Sequence, residues 1–582
     1  MKYIGCILLL FCIVLTYSQE YTPESIYYKS GELKEEGMMH LGQRYGLWKY
    51  YDLQGRLMAE VEFYNNKLHG EKKTYYPDGR KQDFYNYWAG QRHGEFKEWD
   101  STGKLTLTGF YHSNRRDSIW NYYYKNGKIE LCLDYSERTP KIIDFYNVNG
   151  EKTVSDGNGY MERYWESGGI RSQGEVKNGH EEGEWTYYFE NGNKRSQGVF
   201  SNGERVGTWT EWYENGIKKS EINNENGMNI TWNRQGNKEM KGKVINELRE
   251  GEWTYWYPDG NIRTVNNFLN DKRHGIQTQY YHNGNKKAIL NFNEGKREGE
   301  AKWWHEDGRI DIEGNFKTDM QDGLWTYWRA DGQKGNEGHY LRDKMQGRWT
   351  YWYANEQVWK LVDYDNGKKN GLWLIYYENG QKFREGQFEN DMEVGLWKEW
   401  YENGQLYLTG NFDFGVMTDK WISYYENGQK LSETEYKDGI FSGKREFWYP
   451  NGNKHYLETY IIIEDESDLT DKYSVQHGEY VAYNMNGVKL ISGQYDKGKK
   501  IGTWTKYNDR GIKVKIENYR DDRPHGKWMS WWEHGQIKSE INYRNGLMHG
   551  KLIHYNQQGK ATYEARYRSN SLVEVLLDTT NR

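Results

Sequence analysis

The stretch Gly251-Glu-Trp-Thr-Tyr-Trp-Tyr-Pro-Asp-Gly260 decides the fold, because versions of it recur along the chain. Two further copies are Gly323-Leu-Trp-Thr-Tyr-Trp-Arg-Ala-Asp-Gly332 and Gly395-Leu-Trp-Lys-Glu-Trp-Tyr-Glu-Asn-Gly404. With the first glycine as position zero, 23 repeats begin between Thr22 and Gly550, and 18 of the 22 steps between them are 24 residues long. Position five is Tyr or Trp in every repeat. Such periodicity predicts a tandem-repeat protein.

Position nine of the repeat predicts a tight turn. It is Gly in 22 repeats, with Glu356 as the exception, and it usually follows Asp or Asn. Asp and Asn tolerate turn conformations, and Gly takes the positive φ that closes a short hairpin. We therefore expect turn glycines at Gly260, Gly284, Gly308, Gly332, Gly380 and Gly404.

The segments on both sides of this turn are typical of strands. Aromatic residues and Thr precede the turn, and an alternating segment follows it up to position seventeen, which is aromatic in 18 repeats. A second turn, such as Asn545-Gly546, leads into the next repeat. The fold class is therefore all-β: an elongated, single-layer antiparallel meander of tandem β-hairpins, with about 46 strands, twisted or superhelical like a rod.

Composition agrees with such a sheet and excludes other classes. Hydrophobic residues make up 36% of the 582 residues, and aromatic residues alone make up 17%. Aliphatic residues are too few for a conventional core, and aromatic residues are too many for a disordered chain. The net charge of −5 without a basic block gives no attraction for nucleic acid or an anionic membrane.

Aromatic residues at positions five and two are expected to lie on opposite faces of the sheet. We predict that position five forms a packed structural ladder, with the tryptophans Trp212, Trp256, Trp304, Trp328, Trp352, Trp400 and Trp448. Position two is the candidate binding surface, although a structural ladder is the favoured role for it. Of the twelve tryptophans at this position, the candidates are Trp48, Trp185, Trp209, Trp253, Trp325, Trp349, Trp373, Trp397, Trp504 and Trp528.

The first eighteen residues predict export. Lys2 precedes an apolar run from Ile4 to Leu15, and small residues suit cleavage before Gln19, so residues 1–18 read as a signal peptide. No later stretch approaches the roughly 20 apolar residues that a membrane span needs. The mature chain keeps one cysteine, Cys132, which we expect to be a small buried apolar residue. The expected destination is the periplasm, the cell surface or the extracellular space.

Repeats are expected to fill residues 19–570, with residues 571–582 as a C-terminal cap or tail over the last edge strand. The period is irregular near 141–182, 217–250 and 460–477. The last of these irregular segments includes an acidic stretch, 464–471. A solvated hairpin extension is favoured there over a calcium site, because the spacing of a known calcium loop is missing.

The pattern Gly-x-Trp-x-x-Tyr/Trp-x-x-Asp/Asn-Gly-x-Lys/Arg, often with His before the next glycine as in His274-Gly275, resembles the MORN repeat. It is most similar to the bacterial variant in proteins often labelled YwqK-like antitoxins. The resemblance implies a single-layer sheet of hairpins and a scaffold or a module that contacts lipid or protein. An antitoxin against a cytoplasmic toxin would not need the export signal, whereas immunity against an envelope-acting toxin is compatible with it.

The sequence contains no nucleophile elbow, phosphate-binding glycine loop or zinc-binding helix motif, so we predict a protein that is not an enzyme and has no cofactor or metal. The first hypothesis is an exported scaffold that binds a protein partner through many equivalent hairpins in the cell envelope, with toxin neutralisation as a special case. The alternative is binding of envelope glycan or lipid through exposed Trp and Tyr.

Overall fold

A computed structural model describes residues 21–464 and 472–579. The described residues form 51 antiparallel strands and contain no helix, which confirms the predicted all-β class. No helix in these two ranges could therefore cross a bilayer. The chain divides into two compact halves, the first ending at Lys272 and the second beginning at Arg273. In each half a strand pairs with the strands before and after it, as in a meander.

The N-terminal half carries strands β1 to β22, and the two-residue strand β23 (Lys272–Arg273) lies at the boundary. In chain order, β1 to β22 are Tyr21–Tyr27, Leu33–His40, Gln43–Tyr51, Leu57–Tyr64, Lys67–Tyr75, Lys81–Trp88, Gln91–Trp99, Leu105–His112, Arg115–Tyr123, Ile129–Asp134, Lys141–Tyr146, Lys152–Ser155, Asn158–Tyr164, Ile170–Lys177, His180–Tyr188, Lys194–Ser201, Glu204–Trp212, Lys218–Ile222, Asn226–Trp232, Lys238–Ile245, Leu248–Trp256 and Ile262–Leu269.

The C-terminal half carries strands β24 to β51. In chain order they are Gly275–Tyr280, Lys286–Asn293, Lys296–Trp304, Ile310–Lys317, Met320–Gln321, Gly323–Trp328, Lys334–Leu341, Lys344–Trp352, Val358–Asp365, Lys368–Tyr376, Lys382–Glu389, Met392–Trp400, Leu406–Asp413, Val416–Tyr424, Lys430–Lys437, Ile440–Trp448, Lys454–Glu464, Lys472–Gln476, Gly478–Tyr483, Lys489–Asp496, Lys499–Tyr507, Lys513–Arg520, Arg523–Pro524, Gly526–Trp531, Ile537–Arg544, Leu547–Tyr555, Ala561–Arg568 and Ser571–Asp578.

The 23 repeats supply two strands each, which accounts for the predicted 46, and five further strands have local causes. In three repeats, the strand that leads into the first turn is interrupted at the residue before position zero. This interruption separates the two-residue strands β23, β28 and β46. The fourth, β41, pairs with the end of β40 as the predicted hairpin extension. The fifth, β51, pairs with β50 and leaves Leu572 and Val573 about half exposed.

Both turns of the repeat follow from their residues. In the first turn, the Gly260 N–H donates to the Tyr257 carbonyl at 2.9 Å. The six predicted turn glycines have φ between 84° and 95°, which confirms the expected conformation. In the second turn, two consecutive residues have positive φ, as at Asn270 (49°) and Asp271 (67°), which is the geometry of a type I′ hairpin.

The buried face is the one that carries position two, and this corrects the predicted exposure. Of the ten tryptophans predicted to form the binding surface, eight are at most 6% exposed: Trp48, Trp185, Trp209, Trp253, Trp325, Trp349, Trp397 and Trp504. Trp373 and Trp528 are half-buried. The predicted ladder at position five is half-buried throughout, at Trp212, Trp256, Trp304, Trp328, Trp352, Trp400 and Trp448. Position two therefore has the structural role that was favoured for it, but it is packed more deeply than position five, which is the reverse of the predicted exposure.

Two remaining predictions concern the start of the chain and its cysteine. The signal peptide at 1–18, the cleavage before Gln19 and the acidic residues 465–471 lie outside the described residues. Cys132 is 8% exposed and lies in β10, which confirms its predicted burial. Burial raises the pKa of the Cys132 thiol, so the reactive thiolate is disfavoured.

Candidate interaction faces

The buried face is built on a contact between a glycine and a tryptophan of successive repeats. Gly338, at position fifteen, lies in the middle of β30, and a Cβ on it would be 2.2 Å from the Trp349 indole. Ten glycines meet a position-two indole in this way, with a nearest distance of 2.0–2.4 Å: Gly37, Gly109, Gly174, Gly198, Gly242, Gly314, Gly338, Gly386, Gly410 and Gly493. Each indole therefore lies flat on the preceding strand, where a side chain would otherwise stand.

Hydrogen bonds and ring contacts fix the indoles on these glycines. The Trp349 indole N–H donates to the His339 carbonyl at 3.1 Å, one residue beyond Gly338. Tyr340, at position seventeen, stands edge-on between two indoles, with ring centroids 6.1 Å from Trp325 and 5.0 Å from Trp349. Edge-to-face pairs of this kind contribute stability beyond the area that they bury. Alternating tryptophans and position-seventeen rings thus replace the missing aliphatic core.

Two position-two tryptophans follow a repeat that has another residue in place of this glycine, and these two are the half-buried ones. Val362 precedes Trp373, and Glu517 precedes Trp528. Val362 is 1% exposed, so its side chain occupies the place that the indole takes elsewhere. The Glu517 carboxylate forms ion pairs with Lys515 at 2.5 Å and Lys506 at 3.3 Å. Although burial opposes ionisation, these lysines lower the pKa of Glu517 below its usual range.

The opposite face carries the position-five rings, with lysines between them. The Lys334 ammonium lies 5.7 Å from the ring centroids of both Trp328 and Trp352. Other lysines at position eleven repeat the contact, as Lys382 does over Trp400 at 5.6 Å. Cations at this distance from an indole face are attracted by the ring electrons. We call this row of position-five rings and position-eleven lysines the aromatic–lysine stripe.

Glutamates at position fourteen hold the lysines of the stripe in place. Lys334 pairs with Glu337 at 2.7 Å, and Lys430 pairs with Glu433 at 2.8 Å. Hydrogen bonds from Lys420 and Lys430 lower the pKa of Glu433, so the carboxylate stays ionised. The stripe therefore presents half-exposed rings together with fixed charges of both signs.

The turn edge of the sheet is linked by side chains that bond to the next repeat. The Tyr353 hydroxyl donates to the Tyr376 carbonyl at 2.8 Å, and Tyr377 donates in the same way to Trp400. At position eight, the Asn379 amide donates to the Glu402 carbonyl at 3.0 Å. These bonds satisfy carbonyls of the turns and couple neighbouring hairpins.

The glycine at position fifteen, which packs against the indole of the next repeat, was not singled out from the sequence. It was visible as a glycine at a fixed position inside a strand, where the residue weakens the strand unless another group approaches the backbone closely. Ten such glycines are each followed, eleven residues later, by a position-two tryptophan. This pairing would have identified the buried face.

Eleven segments of the chain match the family model described as MORN repeat variant. They are residues 92–113, 181–202, 205–226, 249–270, 273–294, 297–318, 369–390, 393–413, 420–438, 442–461 and 524–545. These segments match MORN-variant repeats, as the resemblance in sequence implied, and they lie in the tandem β-hairpins described above. The finer assignment to YwqK-like antitoxins does not follow from this match.

Comparison with curated proteins gives no match. Among solved structures, the crystal structure of TcdB2-TccC3-Cdc42 is 11% identical with a TM-score of 0.13, and the match covers 94% of this chain and 31% of that one. Alternansucrase in complex with isomaltononaose is 12% identical with a TM-score of 0.12, covering 57% and 23%. The chain spans less than a third of these structures, and at such TM-scores the similarity carries no argument.

Proposed function

We propose that the protein is an exported, non-enzymatic scaffold of the cell envelope that binds a protein partner along the aromatic–lysine stripe. The observation that carries the proposal is the stripe itself, in which half-exposed rings alternate with lysines over successive repeats. Aromatic and cationic groups are the usual anchors of protein interfaces. Repetition allows weak contacts at single hairpins to add up through multivalency.

Export is part of this proposal and rests on the N-terminal pattern of Lys2 and the apolar run that follows it. The test is mass spectrometry of the protein recovered from cells that express the full chain. We expect a mature N-terminus at Gln19 in the fraction outside the cytoplasm. A chain that keeps residues 1–18 and stays in the cytoplasm would contradict export.

Binding along the stripe predicts a graded response to repeat number. The partner is first captured by crosslinking in the native envelope, and its affinity for purified chains is then measured. Removing the six regular repeats of residues 275–418 should weaken binding progressively, because fewer equivalent contacts remain. An all-or-none loss that a single hairpin explains would count against the scaffold.

Charge substitutions separate the stripe from the rest of the surface. The triple change Lys334→Gln, Lys382→Gln and Lys430→Gln removes three lysines of the stripe and should weaken binding. The control changes Lys317, Lys368 and Lys437 to Gln, because these lysines are exposed near the second turns. Equal loss in both variants would mean that the stripe is not the binding surface.

The glycan or lipid alternative is an outcome of the same experiments. Seven of the ten candidate indoles at position two are at most 4% exposed and are not accessible to sugar rings. At the stripe, the position-eleven lysines already occupy positions over the rings. If the wild type is retained on envelope polysaccharide or on lipid vesicles and the triple Lys→Gln variant is not, the ligand of the stripe is that polysaccharide or lipid and not a protein.

A further inference from the structure

The short repeat that begins at Gly207 leaves a cleft in the buried face. Its second arm is β18, Lys218–Ile222, which has five residues instead of the eight of β16, Lys194–Ser201. A cleft of about 240 Å³ lies beside the missing end of this arm. Its walls include Arg205, Trp209, Glu211, Ser220, Ile222 and Asn223.

Two other repeats show what fills the corresponding place. In the repeat at Gly94, the Arg92 guanidinium lies 4.3 Å from the Tyr111 ring centroid and donates to its hydroxyl at 3.2 Å. In the next repeat, Arg116 lies 4.1 Å from the Trp120 ring and donates to the Tyr135 hydroxyl at 3.0 Å. In these two repeats the arginine holds a tyrosine at position seventeen, whereas the same place is taken by a phenylalanine in others, such as Phe268 under Arg249 at 4.1 Å.

The short repeat keeps the arginine and the indole but not the tyrosine. Arg205 lies 4.0 Å from the Trp209 ring centroid, as Arg116 does over Trp120. Phe200 of the preceding repeat packs edge-on against Trp209 at 4.9 Å. Position seventeen is Asn224, which lies outside the strands and lines the cleft with an exposed side chain. The side of Trp209 that faces the cleft therefore has no ring of its own repeat against it in the described part of the chain.

The backbone beside the cleft is also left open. In regular repeats the N–H of position twenty donates to the carbonyl two residues before position zero, as Asn114 does to Arg92 at 2.9 Å. In the short repeat, the second arm β18 already ends at Ile222. The pairing of β17 with β18 extends only from Trp209 to Trp212, so residues 204–208 have no partner in β18. An extended segment could add to this edge.

We propose that the cleft binds a tyrosine side chain on an extended segment of a protein partner, with the ring against Trp209 and the hydroxyl bonded to Arg205. Glu211 takes the position of Tyr122, whose hydroxyl lies 3.3 Å from that of Tyr135. The Glu211 carboxylate, which Lys219 contacts at 3.0 Å, can accept a hydrogen bond from the tyrosine hydroxyl. Phenylalanine would leave these polar groups without that bond, so tyrosine is preferred.

This inference rests on the proposed function in one respect, namely that the ligand is a protein. The site itself is separate from the aromatic–lysine stripe. Its test is fluorescence anisotropy of a fluorescein-labelled, blocked peptide, Thr-Val-Tyr-Val-Thr, with the full mature chain. We expect saturable binding that the Arg205→Ala variant weakens about tenfold, the typical effect of losing one charge-assisted hydrogen bond. Replacing the central tyrosine with alanine should abolish binding, and phenylalanine should weaken it.

The matched control is Arg297→Ala, because Arg297 has the same position in a repeat where Phe316 already lies under its guanidinium at 4.0 Å. This variant should bind the peptide like the wild type.

Thermal melting of each variant separates loss of the site from loss of the fold. Glu211→Gln is a second variant, and it should reduce the preference for tyrosine over phenylalanine. No binding by the wild type, equal binding of the alanine peptide, or equal loss with Arg297→Ala would overturn the proposal. The stripe variants should leave peptide binding unchanged, so the two proposals can fail independently.

Discussion

Gly338 and Val362 hold the same position in successive repeats, yet the tryptophans that follow them have different environments. Trp349, which follows Gly338, is 1% exposed and its indole N–H is hydrogen-bonded. Trp373, which follows Val362, is half-buried. The valine side chain occupies the space against the strand, so the second indole cannot reach it. A single Cβ in one repeat thus decides how deeply the next repeat packs.

The largest expected effect is loss of a deeply packed indole. Trp349→Ala should cost about 3–5 kcal/mol of local stability, because it leaves a large cavity beside Tyr340. Trp352→Ala, at the half-buried position five of the same strand, should cost less than half as much. Hydrogen exchange of peptides from residues 334–365 measures both variants. Equal costs would mean that the two faces contribute alike.

Exchanging the two residues at position fifteen tests the comparison directly. Gly338→Val should cost about 2–3 kcal/mol, because its Cβ would start 2.2 Å from the Trp349 indole and the core would have to move. Val362→Gly should let Trp373 approach the strand, which tryptophan fluorescence would report as a blue shift relative to the wild type. If Gly338→Val melts like the wild type, glycine is not required at this junction.

A smaller effect is expected at the one turn without glycine at position nine. Glu356 has a φ of 66°, which costs a residue with a side chain about 1 kcal/mol. Glu356→Gly should therefore stabilise this hairpin by about that amount, and Gly380→Glu should destabilise the next one similarly. Protease nicking at the two turns provides the measurement. Faster nicking of the Glu356→Gly variant would contradict the strain argument.

The smallest effect concerns Glu517, which like Val362 stands at position fifteen before a half-buried tryptophan. Lys515 and Lys506 lower the pKa of Glu517 in the folded state despite its burial. The ionised carboxylate therefore stabilises the fold above its unfolded pKa of about 4.3, and this contribution disappears as the pH falls through the lower folded value. Ion pairs with exposed lysines contribute about 0–1 kcal/mol.

The Glu517→Gln variant should accordingly be less stable than the wild type at pH 7, and this difference should shrink on acidification. Urea unfolding between pH 7 and pH 3, followed by hydrogen exchange in residues 499–544, would show this. A difference between the two proteins that grows at low pH would reverse the sign and refute the assignment.

The sequence alone was enough to predict the hairpins, because Asp or Asn followed by Gly, as at Gly260 and its equivalents, favours the positive φ of a tight turn. Alternation along a strand also placed positions two and five on opposite faces. It did not reveal which face is buried, because both positions carry large aromatic residues. The answer lies in Gly338 and its equivalents, since only contacts between successive repeats show why a strand should carry a glycine there. The short second arm before Gly227 was visible, but the cleft beside Arg205 needed the coordinates.

The junction between a glycine and the following tryptophan has a consequence for how such a chain can grow. A stretch such as residues 323–346 supplies both halves of the contact, because it carries Trp325 near its start and Gly338 near its end. When its gene segment is duplicated in tandem, the new copy meets an identical neighbour with a complementary surface already in place. The chain can therefore lengthen without a new interface having to evolve. A copy that has lost either residue needs a compensating change in the neighbouring repeat.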